Sequence, residues 1–64
     1  MHNAEFNYYW GDDSFHSGVR ICVDHEVTAS NLCALANQYK PVKASVAYVI
    51  CYIDSLYVET LELY

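Results

Sequence analysis

The sequence predicts a small α+β domain in which one helix packs on a small antiparallel sheet, in the order β-β-α-β-β. Two runs of alternating apolar and polar residues, 5–10 and 15–24, flank a Gly/Asp turn, and this pattern indicates a β-hairpin. A run with helical periodicity follows and ends at Pro41, and the richest β-branched run lies beyond that proline. A chain of 64 residues has the length of a single domain, 1–64, with one small core.

The first two strands are predicted at Glu5–Trp10 and Phe15–Asp24, because side chains alternate between two faces along a strand. One face of each run is apolar and is expected to form core: Phe6, Tyr8, Trp10, Val19, Ile21 and Val23. The opposite faces carry mainly polar residues, among them Arg20. Residues 11–14, Gly-Asp-Asp-Ser, are turn formers and connect the two strands.

The helix is predicted over Thr28–Lys40. Its apolar residues recur at i, i+3, i+4 and i+7, which is one stripe of an amphipathic helix: Leu32, Leu35, Ala36 and Tyr39. The hydroxyl of Thr28 or Ser30 can cap the first turn by accepting a hydrogen bond from a backbone N–H. Pro41 ends the helix, because it has no N–H and disfavours helical geometry at the residue before it.

The second half of the sheet is predicted from residues 43–63. Lys43–Ile53 is rich in β-branched residues and apolar on both faces, as expected of a central strand that the helix covers on one side. Asp54-Ser55 forms a turn, and Leu56–Leu63 forms the last strand. One face of this last strand carries Tyr57, Glu59, Leu61 and Leu63. The apolar residues of this half also fit a helical stripe, which gives the alternative order β-β-α-α, but β-branched side chains disfavour a helix.

Composition indicates an acidic, folded, tyrosine-rich protein. Eight Asp and Glu stand against three Lys and Arg, the net charge is -5, seven residues are tyrosine and 55% are hydrophobic. This hydrophobic content is too high for a disordered chain, and so few basic residues disfavour direct binding of nucleic acid. No apolar run approaches the ~18 residues of a membrane span, and the N-terminal residues lack the pattern of a signal peptide. We therefore expect a cytoplasmic protein that does not bind membranes.

Residues that could carry catalysis or bind metal are few. Cys22-x-x-His25 has the spacing of metal ligands but supplies only half of the about four ligands that zinc needs. Cys33 has no neighbouring cation to activate its thiol, and Asp12-Asp13 is typical of a solvated turn. We therefore expect no metal, no cofactor and no catalytic residue in a protein that is not an enzyme. All three cysteines, of which Cys51 is the last, are expected to be reduced and partly buried.

The predicted partner-binding residues belong to the first hairpin. Four carboxylates bracket its two ends, and two large aromatic residues lie between them. The six residues are Tyr9, Trp10, Asp12, Asp13, Asp24 and Glu26. Carboxylates attract a basic surface, and Tyr and Trp supply contact area. We expect these residues to bind a basic, nucleic-acid-binding surface of a larger protein and thereby block its activity.

In size, acidity, sheet-plus-helix plan and absence of catalytic motifs, the chain resembles the small acidic inhibitors encoded by bacterial viruses. These include anti-CRISPR proteins and other nucleic-acid mimics, and the resemblance covers the whole chain without a diagnostic motif. It implies a CRISPR effector or another nucleic-acid enzyme as the target, in the cytoplasm of the host. The element order is also similar to that of phage antitoxins that inhibit a ribonuclease. A further alternative is a homodimeric structural or interaction module, joined through exposed tyrosines and sheet edges.

Overall fold

The predicted order β-β-α-β-β is confirmed by the structure, a computed structural model that describes residues 1–41, 43 and 45–63. The described elements are the strands β1 (His2–Tyr9), β2 (Phe15–Val23), β3 (Tyr48–Ile53) and β4 (Leu56–Glu62), and the helix α1 (Ala29–Gln38). Neighbouring strands are antiparallel throughout, and their order in the sheet is β2-β1-β3-β4. The chain after the helix forms strands, so the alternative with a second helix is not needed.

The core lies between one face of the sheet and α1. The fully or almost fully buried residues are Ala4, Phe6, Tyr8, Leu32, Ala36, Val46, Val49 and Cys51. Their alternation along β1 and β3 is the one expected of strands with a single buried face. The Tyr8 hydroxyl donates a hydrogen bond to the carbonyl oxygen of Ala36 at 2.6 Å. This bond satisfies a polar group inside the core and joins the sheet to the helix.

The first strand begins at His2, earlier than the predicted Glu5. Pairing with β2 reaches His2, opposite Val23, and Asp54, in the turn between β3 and β4, adds contacts from the other side. Its Oδ1 accepts a hydrogen bond from the N–H of Asn3 at 2.9 Å, and its own N–H donates to the carbonyl of Asn3 at 2.7 Å. Its Oδ2 lies 3.1 Å from Nδ1 of His2. The contacts of the carboxylate, with the Asn3 N–H first and His2 second, lower the pKa of Asp54, and they hold the N-terminal end of β1 against the turn.

The same strand ends at Tyr9, so Trp10 is not part of its buried face. The N–H of Trp10 donates to the carbonyl of Ser14 at 2.9 Å, which places Trp10 at the start of the turn rather than in the sheet ladder. Its ring is half-buried and meets the ring of His16 edge-on, with 4.8 Å between centroids. The prediction that Trp10 continues the core face is therefore wrong.

The helix lies inside the predicted range Thr28–Lys40. Thr28 is its N-cap, and the Thr28 hydroxyl accepts a hydrogen bond from the N–H of Asn31 at 3.3 Å. Tyr39 lies at the C-cap, where its N–H donates to the carbonyl of Leu35 and its backbone leaves helical geometry. Tyr39 is 38% exposed, so its assignment to the apolar stripe is wrong. No helix in the described part of the chain is long and apolar enough to cross a membrane.

The third strand is shorter than predicted. It begins at Tyr48 instead of Lys43, and Ala44, which falls in the predicted range, lies outside the described residues. Contact with the sheet starts just before the strand, where the N–H of Ala47 donates to the carbonyl of Tyr9 at 2.9 Å. β3 lies between β1 and β4, which confirms its predicted inner position.

Tyr57 does not lie on the face of β4 that was predicted for it, the face shared with Glu59. The two-residue turn before β4 is confirmed, but a β-bulge interrupts the pairing that follows it. Cys51 pairs with Glu59, whereas the next residue, Tyr52, pairs with Tyr57. The extra residue, Val58, shifts Tyr57 to the face opposite Glu59. There its ring meets the ring of Tyr52 edge-on, with 6.2 Å between centroids.

The three cysteines are free, but only Cys51 is buried. The prediction of partial burial is wrong for Cys22 and Cys33, which are exposed. Cys22 pairs with Asn3 on the sheet face that points away from the helix. Cys33 follows the buried Leu32, and successive helical residues point about 100° apart, so Cys33 faces away from the core.

Candidate binding surface

One face of the sheet is not covered by the helix, and we call it the open face. Every buried strand residue lies on the helix side, and none of the described residues on the open face is buried. Cross-strand pairing arranges the open face in rows that run across the four strands. The row nearest the turn between β1 and β2 consists of Phe15, Tyr9, Tyr48 and Glu62. We call this row the end row.

Three aromatic rings of the end row pack against one another. Tyr9 and Tyr48 are stacked, with 5.2 Å between ring centroids and 10° between ring planes. Phe15 meets Tyr9 edge-on, at 5.7 Å and 75°. Both geometries are favourable for aromatic pairs. Phe15 is nevertheless 58% exposed, so the end row presents aromatic surface to solvent.

The carboxylates of Asp12 and Asp13 lie in the turn and are held in place by hydrogen bonds. Oδ1 of Asp13 accepts from the Tyr48 hydroxyl at 2.7 Å, which raises the pKa of Tyr48 and fixes Asp13 beside the end row. Oδ1 of Asp12 accepts from both the hydroxyl and the N–H of Ser14. These two bonds, the hydroxyl first, lower the pKa of Asp12 and favour its charged form. The turn therefore presents ordered negative charge next to aromatic rings.

The positively charged side chain of the open face is paired with a carboxylate two rows away from the end row. Nε of Arg20 donates to Oε1 of Glu5 at 2.8 Å, and the side-chain amide of Asn7 donates to the other oxygen at 3.0 Å. These bonds, the one from Asn7 first, lower the pKa of Glu5. The other contacts between basic and acidic side chains of the described residues join histidine to aspartate at the far end of the sheet. None of them involves the turn carboxylates or Glu62.

The six residues predicted to bind a partner fall into two groups. Tyr9, Trp10, Asp12 and Asp13 lie together at the turn end of the hairpin. Asp24 and Glu26 follow β2 at the opposite end, about 30 Å away, because β2 has nine residues at ~3.3 Å each. Exposed charges this far apart are screened from each other, since the Debye length is about 8 Å at physiological salt. The two ends are therefore electrostatically separate.

Phe15, Tyr48 and Glu62 belong to this surface but were not among the six predicted residues. The alternation of Tyr48 and Tyr52 along one face of their strand indicated exposed tyrosines there, without joining Tyr48 to the hairpin. The neighbours of Tyr48 are set by the pairing of β3 with β1 and β4, which joins residues far apart in the chain. No local pattern specifies that pairing, so the end row could not be assembled from the sequence.

The described residues form no group of three or more His, Cys, Asp or Glu side chains that could hold a metal ion. In the Cys22-x-x-His25 motif, the ring of His25 lies 3.3 Å from the carboxylate of Asp24. The thiol of Cys33 lies 3.7 Å from the side-chain amide of Asn37. These contacts are ordinary surface hydrogen bonds of exposed side chains.

The end row offers a partner a partly exposed cluster of aromatic rings with ordered negative charge beside it. Tyrosine supplies contact area at interfaces, and carboxylates select basic groups and steer their approach. Comparison of the chain with protein-family models, curated proteins and solved structures gives no match.

Proposed function

We propose that this protein is a non-enzymatic acidic inhibitor, which binds a basic, nucleic-acid-binding surface of a larger protein and blocks its activity. One observation carries the proposal: the ordered carboxylates of Asp12 and Asp13 lie beside the exposed aromatic end row. Nucleic acid likewise combines backbone negative charge with flat rings. A groove built to bind nucleic acid with Lys, Arg and stacking side chains therefore has groups that complement this end of the sheet.

The net charge supports the same function. A charge of -5 on a chain of this size attracts basic proteins and repels nucleic acid. Direct binding of nucleic acid is therefore disfavoured, even though tyrosine rings can stack on bases. The expected kinetic signature is fast association that slows as the salt concentration rises.

The proposed contact surface is narrower than the six residues predicted from the sequence. Interface binding energy is concentrated in a few residues near the centre of the contact. Centred on the end row, the proposed contact has Tyr9, Asp12 and Asp13 at this centre, with the neighbouring Trp10 beside them. Asp24 and Glu26, at about 30 Å, are far from this centre and add mainly to the overall field.

The resemblance to inhibitors encoded by bacterial viruses suggests the class of target. We propose a CRISPR effector or a similar nucleic-acid enzyme in the host cytoplasm, and a ribonuclease is the alternative within the same class. Each of these enzymes binds a polyanion through basic residues. The mode of action we propose is occupation of that basic surface.

Two variants with equal changes in charge test the proposed surface. Asp12→Lys/Asp13→Lys reverses the charge of the turn end, and Asp24→Lys/Glu26→Lys reverses that of the opposite end. Tagged wild-type protein and both variants are used to capture proteins from nuclease-treated bacterial lysate at low and at high salt. We expect the wild type and D24K/E26K to capture a nucleic-acid-binding protein that high salt releases, and D12K/D13K to lose it. Circular dichroism checks that each variant is folded.

Equal capture by the two variants would contradict the turn end as the contact surface. The captured protein is then purified and its activity on nucleic acid is measured. Inhibition by the wild type but not by D12K/D13K supports an inhibitor. Binding without inhibition would contradict the inhibitory part of the proposal and leave a binding protein.

A homodimeric interaction module is the second candidate, and the free edge of β4 favours it. Three consecutive residues of this edge strand are unusually exposed: Leu56 (72%), Tyr57 (60%) and Val58 (45%). An exposed apolar edge strand is prone to pair with another chain. If this candidate holds, sedimentation will show a dimer that dissociates on dilution, and Val58→Lys will be monomeric. A wild-type monomer at every concentration would exclude it.

A further inference from the structure

We propose that the hollow between Tyr48 and Glu62 binds an arginine side chain of the basic partner, with the guanidinium stacked on the Tyr48 ring and paired with the Glu62 carboxylate. The inference rests on the proposed function, because it names the partner residue that anchors the acidic end of the sheet. It adds a chemical preference, for arginine over lysine, that the proposed function does not require.

The stacking of the end row leaves one face of the Tyr48 ring available. The centroids of Tyr9 and Tyr48 are 5.2 Å apart, close to the ~4.8 Å spacing of neighbouring strands. Their planes are within 10° of parallel, so the two rings form an offset stack. Tyr48 also lines an open hollow together with Glu62 of β4, so part of its ring is accessible on that side.

The position that follows Tyr48 in the row is occupied by a carboxylate instead of a ring. Glu62 is the cross-strand partner of Tyr48, and such partners have Cβ atoms about 4.5–5.5 Å apart. An open hollow of about 460 Å³ lies here, lined by Gly11, Ala47, Tyr48, Thr60 and Glu62. Its walls thus combine an aromatic face with a negative charge, and no basic side chain of the described residues pairs with that charge.

Arginine fits these walls better than lysine does. The guanidinium is planar, so it can continue the stack of rings and donate two parallel hydrogen bonds to one carboxylate. The ammonium group of lysine is a compact, strongly hydrated charge that can do neither. The hydrogen bond from the Tyr48 hydroxyl to Asp13 brings a second carboxylate close to the ring, which strengthens the attraction of a cation to its face.

Titration of the isotope-labelled protein with short peptides tests the pocket, with binding followed by NMR. One peptide is rich in arginine, and two matched peptides carry lysine or uncharged citrulline instead. We expect the arginine peptide to bind about tenfold more tightly than the lysine peptide and to shift the signals of Tyr48, Thr60 and Glu62. The citrulline peptide should not bind measurably.

The variant Glu62→Gln removes the charge while keeping the shape of the side chain. Its matched control is Glu59→Gln, on the same strand but half-buried on the helix side of the sheet. We expect E62Q to weaken binding of the arginine peptide about tenfold, as for loss of a charge-assisted hydrogen-bond pair. E59Q, which changes the net charge equally, should bind like the wild type.

Two results would overturn the pocket. One is equal affinity for the arginine and lysine peptides, and the other is an equal effect of E62Q and E59Q. If D12K/D13K still abolishes capture of the partner, either result rejects the arginine pocket alone and leaves the proposed function standing. If neither basic peptide binds and D12K/D13K captures as well as the wild type, the pocket and the proposed function fail together.

Discussion

Among single residues, Tyr8 connects the sheet to the helix. Its side chain is fully buried, and its hydroxyl donates to the carbonyl of Ala36 at 2.6 Å. Tyr8→Phe removes this bond and leaves a buried carbonyl without a partner. We expect the free energy of unfolding to fall by about 1 kcal/mol, measured by urea denaturation. Tyr57→Phe, which removes an exposed hydroxyl hydrogen-bonded to Thr60, is the control and should change little. Equal effects of the two variants would contradict this role of Tyr8.

Two buried acids make stability depend on alkaline pH. Burial is the main cause that raises the pKa of Cys51 from 9.0 to about 11 and that of Tyr8 from 10.0 to about 12. At alkaline pH the folded state therefore retains protons that the unfolded state has released. This contribution to stability is complete below pH 9.0, and the free energy of unfolding falls as pH rises toward 12.

The variant Tyr8→Phe separates the two groups in the same experiment. It removes the tyrosine proton and leaves Cys51 unchanged. Its free energy of unfolding should therefore decline less steeply than that of the wild type above pH 10.0, the ordinary pKa of tyrosine. Urea denaturation across this pH range measures both slopes. Parallel declines would show that Tyr8 stays protonated to the same degree in both states.

Burial of single residues could be predicted where strand geometry alone determines it. Phe6 and Tyr8 are buried because alternate side chains of a strand share one face. Burial was wrongly predicted for Trp10 and Tyr39, and each lies just beyond the end of its element. The ends are set by hydrogen bonds of the turn and the helix cap, which the apolar pattern does not encode.

At the scale of elements, the turn between β3 and β4 holds both of its residues in the left-handed backbone conformation, which glycine adopts more easily than serine. Asp54 and Ser55 have φ angles of 51° and 70°, as in the two-residue turns that favour glycine at the second position. A left-handed conformation costs an L-residue about 1–2 kcal/mol, whereas glycine loses roughly 0.5–1 kcal/mol of extra entropy on folding.

We therefore expect Ser55→Gly to raise the free energy of unfolding by roughly 0.5–1 kcal/mol. Ser55→Val should lower it, because a β-branched residue is poorly tolerated at positive φ. Thermal and urea denaturation of both variants measure the difference. A glycine variant no more stable than the valine variant would contradict the role of backbone strain in this turn.

The turns and the helix cap were the most predictable parts of the elements. Asp, Ser and Thr favour these positions because their short polar side chains bond to nearby backbone groups. The bulge at Val58 was not predictable, since it depends on how β4 pairs with β3. Its consequence is large, because one extra residue moves Tyr57 to the open face.

At the scale of the whole molecule, the net negative charge could be predicted from composition, but the positions of all the carboxylates in the fold could not. The sequence places carboxylates at both ends of the first hairpin. The fold adds Glu62 and the ring of Tyr48 to the turn end and pairs Arg20 with Glu5 elsewhere on the open face. This distribution supports the turn end as the proposed site for a basic partner.

The most direct measurement is displacement of labelled nucleic acid from the captured target, followed by fluorescence anisotropy as this protein is added. We expect the wild type and D24K/E26K to displace the nucleic acid, less effectively as salt rises, because Coulomb attraction to a basic surface is screened. D12K/D13K should leave the nucleic acid bound. Binding of the wild type without displacement, or displacement by D12K/D13K as strong as that by the wild type, would contradict the account.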